Sequence, residues 1–383
     1  MEKNIIELKS ELLCLGARVE AETAKLLAAE YPRFFDKGFI HAVNLRLAGI
    51  DVNICVSVSE EFSAGSPYEI VKIGEDYRLV GKGWDEAISF YPNLPQTGTV
   101  VDDLARLHSP TCINIWPSTT CCYDTPELKC RFCSLKADAD NPIDTAELAE
   151  GLKLLLAQVP KEYILNFSGG TYHDPDWMVR YWIDLARKIR EFSQVSITVE
   201  FAPPSDLGLL REMKEAGIGV AIMNLEVADE ARRREICPGK SHISYAHYHE
   251  AFREAVKIFG WGMVSSVLIG GIQPKEEIMK ECAIMASEGV FPTVMPFRPM
   301  TTACITAWTA ASRRNWRRWP NIWAACCTNT PWISASNPAA RNAAAAAWRT
   351  TATGAERKNR LRVDHDDERN DERDPDGSAE GEA

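Results

Sequence analysis

The sequence predicts an α/β fold, a partial (β/α)6 TIM-like barrel preceded by a small N-terminal α+β accessory domain. Two observations predict it. Between Ser109 and Pro299, six short β-branched or apolar runs alternate with five longer segments of helical spacing. Parallel neighbours need crossover connections of that kind, whereas antiparallel ones do not. Before that stretch the texture differs, with one helical segment followed by scattered strand-like runs. In a barrel of this class the chemistry gathers at the C-terminal ends of the strands.

The elements follow in order. Met1 to Tyr31 reads as an amphipathic helix with charges throughout, unlike a secretion signal with its basic start and apolar centre. Val52-Asn-Ile-Cys-Val-Ser-Val58 is the clearest early strand and Tyr77-Arg-Leu-Val80 a second. Ser66-Pro67 and Pro92-Asn-Leu-Pro95 punctuate the region, and residues 1–107 are assigned to the accessory domain. Residues 108–300 form the barrel. Its strands are predicted at Ile113–Trp116, Tyr163–Phe167, Val195–Val199, Val220–Leu225, Met263–Ile269 and Pro292–Met295. The helices between them are predicted at Thr145–Val159, Trp177–Phe192, Ser205–Ala216, Ser244–Phe259 and Lys275–Ser287.

Residues 301–355 do not belong to the same text. They contain no Asp, Glu or Lys, yet hold six of the eleven tryptophans: Trp308, Trp316, Trp319, Trp323, Trp332 and Trp348. Disordered segments are poor in aromatics, so this composition points to a shifted reading frame. Asn337 to Arg349 can be back-translated so that a neighbouring frame spells Pro-Gly-Cys-Thr-Lys-Cys-Gly-Gly-Cys, a Cys-x2-Cys-x2-Cys element. Residues 356–383 form a mostly acidic tail, densest at Asp364-His-Asp-Asp-Glu-Arg369, with the composition of disorder.

The overall balance narrows the partners. A hydrophobic fraction of 45% and a charged fraction of 25% suit a globular chain. No apolar run reaches the ~18 residues of a membrane span. A net charge of -11 weighs against a nucleic-acid backbone as partner, because neutralising phosphates takes Lys and Arg. A cytoplasmic protein acting on a small molecule, with neither nucleic acid nor membrane as partner, is the expectation.

Twelve cysteines in a long chain without a signal segment suggest metal or redox chemistry rather than disulfides. Cys14, Cys55, Cys112, Cys237 and Cys282 sit in apolar or mixed segments and read as small core residues. Cys121, Cys122, Cys130 and Cys133 form a cluster in the loop after the first barrel strand. Two ligand sets are open, Cys121-x8-Cys130-x2-Cys133 and Cys122-x7-Cys130-x2-Cys133. Three thiolates in such a loop can hold three irons of a [4Fe–4S] cluster and leave the fourth free for a small molecule. A structural zinc site or an electron-transfer iron–sulfur module is the alternative, and a fourth protein ligand would favour it. Gly169-Gly170, at the end of the second strand, suits close approach of a ligand to backbone.

The loop Thr120-Cys-Cys-Tyr-Asp-Thr-Pro-Glu-Leu-Lys-Cys-Arg-Phe-Cys-Ser134, with Phe132 before its last cysteine, resembles the cluster motif of the radical S-adenosylmethionine superfamily. Its first gap is longer than that family's commonest Cys-x3-Cys-x2-Cys. Asn166-Phe-Ser-Gly-Gly-Thr171 resembles the family's Gly-Gly-Glu-like turn, with Thr171 in place of the acidic residue. Asn224-Leu-Glu-Val227, Ile236-Cys-Pro-Gly-Lys240 and Phe259 to Gly271 resemble the biotin-synthase-like and lipoyl-synthase-like branch. They also resemble uncharacterised radical enzymes of nitrilase-associated biosynthetic clusters, which end in a Cys-x2-Cys-Gly-x-Cys element.

The resemblance implies a [4Fe–4S] cluster and S-adenosylmethionine as cofactors, cleaved to methionine and a 5′-deoxyadenosyl radical that abstracts hydrogen from a small biosynthetic substrate. It also implies a one-electron donor such as a ferredoxin or flavodoxin. By the same resemblance, the backbone of Gly169, Gly170 and Thr171 meets the methionine amino group. By it too Glu226 faces the adenosine moiety or substrate, the alternative being an ion pair with a core-facing Lys or Arg. Glu200, at the end of the third strand, is open between a ribose contact and a structural ion pair. Arg234 is the candidate for a bidentate clamp on the methionine carboxylate, a geometry Arg suits, and Gly270 lets the adenine sit against backbone. Arg298 is a candidate substrate contact, while His242, His247 and His249 read as surface or helix residues without metal spacing.

Overall fold

In the computed structural model, which describes residues 5–31, 42–48, 53–58, 60–109, 111–118, 121–134 and 143–299, the strands divide between two sheets. The Trp-rich segment 301–355 and the acidic tail 356–383 lie outside the described residues. The first sheet is N-terminal. Its elements are α1 (Ile5–Leu15), β1 (Arg18–Val19), α2 (Ala21–Glu30), β2 (Ala42–Leu47), β3 (Asn53–Ser57), β4 (Glu69–Ile73), β5 (Asp76–Gly81) and β6 (Trp84–Phe90). The strand order is β1-β4-β5-β6-β2-β3, antiparallel except for the β1–β4 pair. Leu8, Leu12 and Leu27 of the helices join Leu45, Ile54, Ile70 and Leu79 of the sheet in one core.

Sequence periodicity reveals only two of these strands. β4 and β6 carry charges at positions of both faces, Glu69 and Asp85 on the outer one and Lys72 and Glu86 in line with the core residues Ile70 and Ile88, which breaks up the apolar pattern. The β5–β6 turn is the two-residue loop Lys82-Gly83, with φ of 49° and 80°. That pair of positive angles is the backbone a tight hairpin requires.

The second sheet carries the barrel. After α3 (Val101–Leu104) come β7 (Ala105–Ser109), β8 (Cys112–Ile115), α4 (Thr145–Leu156), β9 (Ile164–Phe167), α5 (Pro175–Arg190) and β10 (Ser196–Glu200). Then follow α6 (Leu209–Glu215), β11 (Val220–Ile222), α7 (Glu230–Ile236), α8 (Tyr245–Phe259), β12 (Val264–Gly270), α9 (Lys275–Glu288) and β13 (Val290–Pro296). The strands from β8 to β13 lie side by side in chain order and all pair in parallel, which is the predicted partial (β/α)6 arrangement. Two elements add to the prediction. Strand β7 pairs antiparallel at the β8 edge, so the sheet begins before residue 108. Helix α7 is only seven residues long, too short for periodicity to reveal.

Alternation along the parallel strands sorts their side chains. Ile113, Ile115, Leu165, Phe167, Ile197, Val199, Ala221 and Leu268 share one core with α5 residues such as Trp182, which is 1% exposed. The intervening residues therefore face the lumen of the half barrel.

Helices α8 and α9 carry an ion network that sequence reading misses. His249 is buried, with Nδ1 2.6 Å from Glu288 and Nε2 3.0 Å from Glu281. It is not the surface histidine its helical position suggests, because it lies on the face of α8 turned toward α9. Burial pushes the imidazole pKa down, and the two carboxylates push it further up, to a net value above the ordinary one. A raised folded value means stabilisation present in full below about pH 6.5 and lost as pH rises through the folded value. His249→Gln is therefore expected to lower the melting temperature more at about pH 6 than at about pH 9. Equal losses at both would show that charge is not involved.

Candidate active site

Because β8 to β13 run parallel, their C-terminal ends bring five segments to one rim. These are the cysteine loop after β8, Ser168–Thr171 after β9, Phe201 after β10, the stretch from Asn224 to Asp229 after β11, and Gly271–Gln273 after β12.

The cysteine loop docks on two neighbours. On one side, the Cys122 N–H donates to the Thr171 carbonyl at 2.7 Å, and the N–H groups of Thr171 and Tyr123 reach the Cys121 sulfur. The Gly169-Gly170-Thr171 turn thus lies against the first half of the loop. The turn packs closely there, since a Cβ on Gly169 would stand 3.3 Å from the Ser118 carbonyl oxygen. On the other side, the Arg131 N–H donates to the Ile236 carbonyl at 2.8 Å and the Gly239 N–H to the Leu128 carbonyl at 3.0 Å. Cys130 and Phe132 pack on Val227, Ile236 and Cys237. Cys133 follows in a tight turn, its N–H 3.0 Å from the Cys130 carbonyl.

Each thiol has its own electrostatics. Burial pushes Cys121 up, against the pull of the two amides and of Lys240. Cys122 is pushed up to about 12 by burial and by Cys121 beside it. Cys130 is raised well above the ordinary value, first by a side-chain hydrogen bond with Cys237 and then by burial. The described cysteines are all unbridged. Among the described residues, no three His, Cys, Asp or Glu side chains converge closely enough to hold a metal ion. The donor chemistry nevertheless fits an iron–sulfur cluster: four thiols share one loop at the rim, with main-chain donors already aimed at one sulfur.

Below the loop lies a buried ion pair. Lys240 Nζ is 3.0 Å from Glu226 Oε1, and Lys240 also feels Tyr248, Cys130 and Cys237. Burial pushes the lysine pKa down, but Glu226 and these neighbours raise it further, to a net value above the ordinary range. Glu226 has a φ of 68°, unusual for a residue with a side chain. Three hydrogen bonds hold it there: its N–H to the Val267 carbonyl (2.8 Å), and its own carbonyl accepting from Ile269 N–H (2.9 Å) and Gln273 Nε2 (2.8 Å). Such over-determined strain is a mark of functional positions.

The lumen carries a second polar group. Asn166 Nδ2 donates to Glu200 Oε1 at 3.0 Å and Asn224 Nδ2 to Oε2 at 3.4 Å, while Asn224 Oδ1 accepts from the Val267 N–H at 3.1 Å. Burial raises the Glu200 pKa, Asn166 opposes it and the charge of Glu226 adds to it, leaving a net upward shift. Across the sheet, Ile222, Val267, Ile269, Phe291 and Met295 line the same face by strand register.

The structure thus brings together Cys121, Cys122, Cys130, Cys133, Phe132, Gly169, Gly170, Thr171, Glu200 and Glu226. Gly270 ends β12, its carbonyl accepting from the Phe297 N–H at 2.7 Å. Arg234 stands exposed on α7, while Arg233 turns inward at 1% exposure. Arg298 reaches Ser57 of the N-terminal sheet, with Nη1 3.4 Å from its hydroxyl oxygen. Sequence reasoning passed over Lys240, Asn166 and Asn224 as individuals, although each lies in a motif it singled out. Cys237 was read only as core, and nothing in its local sequence marks its contact with Cys130.

No protein-family profile matches the chain. It is 26% identical over 265 residues to the bacteriochlorophyllide c C-7(1)-hydroxylase of Chlorobaculum limnaeum, an alignment covering 62% of this chain and 65% of the relative. The chain therefore spans about 65% of the length of that curated relative. Among solved structures it is similar to the FeFe-hydrogenase maturase HydG from Carboxydothermus hydrogenoformans, at a TM-score of 0.45 and 13% identity over 57% of this chain and 52% of that one. Methylornithine synthase (PylB) is similar at a TM-score of 0.42 and 17% identity over 55% of this chain and 63% of that one. No described helix is long and apolar enough to cross a membrane.

Proposed function

We propose that this chain is a radical S-adenosylmethionine enzyme acting on a small-molecule substrate. The observation that carries the reading is the docking of the cysteine loop on the Gly169-Gly170-Thr171 turn through Cys121, Cys122 and Thr171. These are the two motifs that the sequence resemblance assigns to the cluster and to the methionine amino group. The similarity to a hydroxylase of a bacteriochlorophyllide supports an enzyme that works on an organic molecule rather than an electron-transfer module.

In this reading Cys121, Cys130 and Cys133 hold the cluster. Cys121 is preferred to Cys122 because two main-chain amides reach its sulfur, and because it lies within the field of Cys130 and Lys240. Amide donors favour the thiolate, the form that binds iron. Cys121, Cys130 and Cys133 would hold a [4Fe–4S] cluster with one iron free of protein ligands, which would supply one-electron reductive cleavage of S-adenosylmethionine and hydrogen-atom abstraction from the substrate. The chain's own residues do the rest. The backbone of Gly169, Gly170 and Thr171 receives the methionine ammonium. Glu200, steadied by Asn166 and Asn224, presents carboxylate oxygens to hydroxyl donors in the lumen. Phe132 and the apolar lumen wall exclude water from the reacting centre. A ferredoxin or flavodoxin supplies the electron.

Anaerobic reconstitution with iron and sulfide, followed by electron paramagnetic resonance of the reduced protein, tests the reading. A [4Fe–4S] signal that shifts on adding S-adenosylmethionine is expected. Cys121→Ala, Cys130→Ala and Cys133→Ala are each expected to abolish that signal, and Cys122→Ala to keep it. Retention of zinc with no cluster would make the loop structural. A cluster indifferent to S-adenosylmethionine would make the protein an electron carrier.

A further inference from the structure

We propose that the β2–β3 hairpin of the N-terminal sheet is the missing wall of the barrel, seated across the open side between β7 and β13, so that both sheets together enclose the substrate chamber. The inference rests on the reading of the lumen as the place where the substrate lies. It goes beyond that reading by giving the N-terminal sheet a part in the chamber.

A closed (β/α)8 barrel completes its wall with its own strands. Here the barrel sheet has seven strands, ends at β7 on one side and β13 on the other, and no ladder joins those two among the described residues. Two long-range hydrogen bonds show what meets the two ends. Asn44 Nδ2 of β2 donates to the Leu107 carbonyl of β7 at 3.3 Å. Arg298, just past β13, has Nη1 3.4 Å from the Ser57 hydroxyl oxygen of β3.

The Leu107 carbonyl belongs to the open edge of β7. The Leu104 carbonyl turns toward the neighbouring strand, accepting from the Trp116 N–H at 3.2 Å. Main-chain groups alternate in direction along a strand, so those of Arg106 also face β8 and those of Leu107 face away. Because β2 and β3 pair with each other, one hairpin touches both ends of the same sheet. A sheet can offer both ends to one hairpin only by curling, with the hairpin in the gap.

The face that fills the gap follows from alternation. Val43, Leu45, Ile54 and Val56 pack into the N-terminal core. Asn44, Cys55 and Ser57 therefore lie on the opposite face, the one that carries both hydrogen bonds. Cys55 stands opposite Asn44 in the register and beside Ser57 on that face, between the two contacts. On the barrel side, Cys112 and Asn114 of β8 alternate with the core residues Ile113 and Ile115 and so face the lumen. The hairpin's wall is neutral at Asn44, Cys55 and Ser57. It offers no ion to pair with a buried charge, and so suits an uncharged part of the substrate. It also keeps water from entering sideways. Arg298, a candidate substrate contact by sequence, holds this wall in place.

The test uses the full chain and its own thiols. Cys55 reports on the wall, Cys112 on the lumen, and Cys282, 5% exposed in the core beneath α9, on global unfolding. Alkylation by N-ethylmaleimide is timed and read peptide by peptide by mass spectrometry, in wild type and in the double variant Asn44→Leu, Arg298→Met. With both hydrogen bonds gone, Cys55 and Cys112 are expected to react about tenfold faster and Cys282 at the wild-type rate. Unchanged rates at Cys55 and Cys112 would overturn the proposal. Should Cys282 quicken as well, the variant has lost its fold, and a second measurement on the otherwise unaltered chain decides. Arg46, exposed on the same face as Asn44, is replaced by the photo-cross-linker p-benzoylphenylalanine. Cross-links to residues 105–109 of β7 are expected, and cross-links confined to the N-terminal sheet would overturn the proposal. Neither measurement needs a cluster, so a protein that forms no [4Fe–4S] cluster would defeat the functional reading while the wall is judged separately.

Discussion

Replacing Lys240 with methionine is expected to cost about 3–5 kcal/mol of folding stability, the penalty for leaving one member of a buried ion pair alone. Lys240 and Glu226 have side-chain exposures of 14% and 11% and meet at 3.0 Å, with little solvent to share the charge. The main chain of Glu226 is held at a φ of 68° by bonds to Val267, Ile269 and Gln273, so only side-chain rotation is left to carry the carboxylate toward water. Removing the ammonium therefore strands a carboxylate beneath the cysteine loop. The double variant Lys240→Met, Glu226→Gln removes both charges and is expected to recover much of the loss. The coupling between the two positions then measures the pair. Urea unfolding of the four proteins in the cycle checks this. A loss under about 1 kcal/mol in Lys240→Met, the range of exposed pairs, would mean that the carboxylate finds solvent.

Lys9→Met is expected to act in the opposite direction and stabilise the fold. Lys9 lies on α1, is 2% exposed, and its Nζ makes no hydrogen bond among the described residues. Burial lowers its pKa to about 7, and the nearby Cys55 offsets this only in part. In the unfolded chain the amine titrates near 10.5. Between those values the unfolded state binds more protons, so stability rises with pH across that window. The cost is complete below about pH 7 and absent above about pH 10.5. A difference of that size corresponds to about 5 kcal/mol, an upper bound because local opening lets water relieve part of it. Methionine fills similar space without the charge. Its gain in stability is expected to be largest near neutral pH and to shrink toward pH ~10. A gain independent of pH would assign the effect to packing instead.

What could be read before folding and what could not separate along physical lines. The six parallel strands, the helices between them and the rim position of the cysteine loop are legible because each is written in local periodicity. A helix or strand must turn an apolar face to the core, and that repeats every few residues. Local signals fade where an element is short or one-sided. The seven residues of α7 complete too few turns to show phase, so Arg234 and Arg233 look alike in sequence although one is exposed and the other buried. His249 looks like any helical histidine until α9 packs beside it with Glu281 and Glu288.

The sequence by itself determined the repeating β/α plan, the four clustered thiols and the Gly169-Gly170 turn, since each is carried by neighbouring residues. Only the tertiary structure decided that Lys240 pairs with Glu226, that Asn166 steadies Glu200 across 34 residues, and that Cys237 touches Cys130. Those contacts join loops from different strands. Sheet order and the crossover helices between strands set the separations of these loops, and no short stretch of chain encodes them.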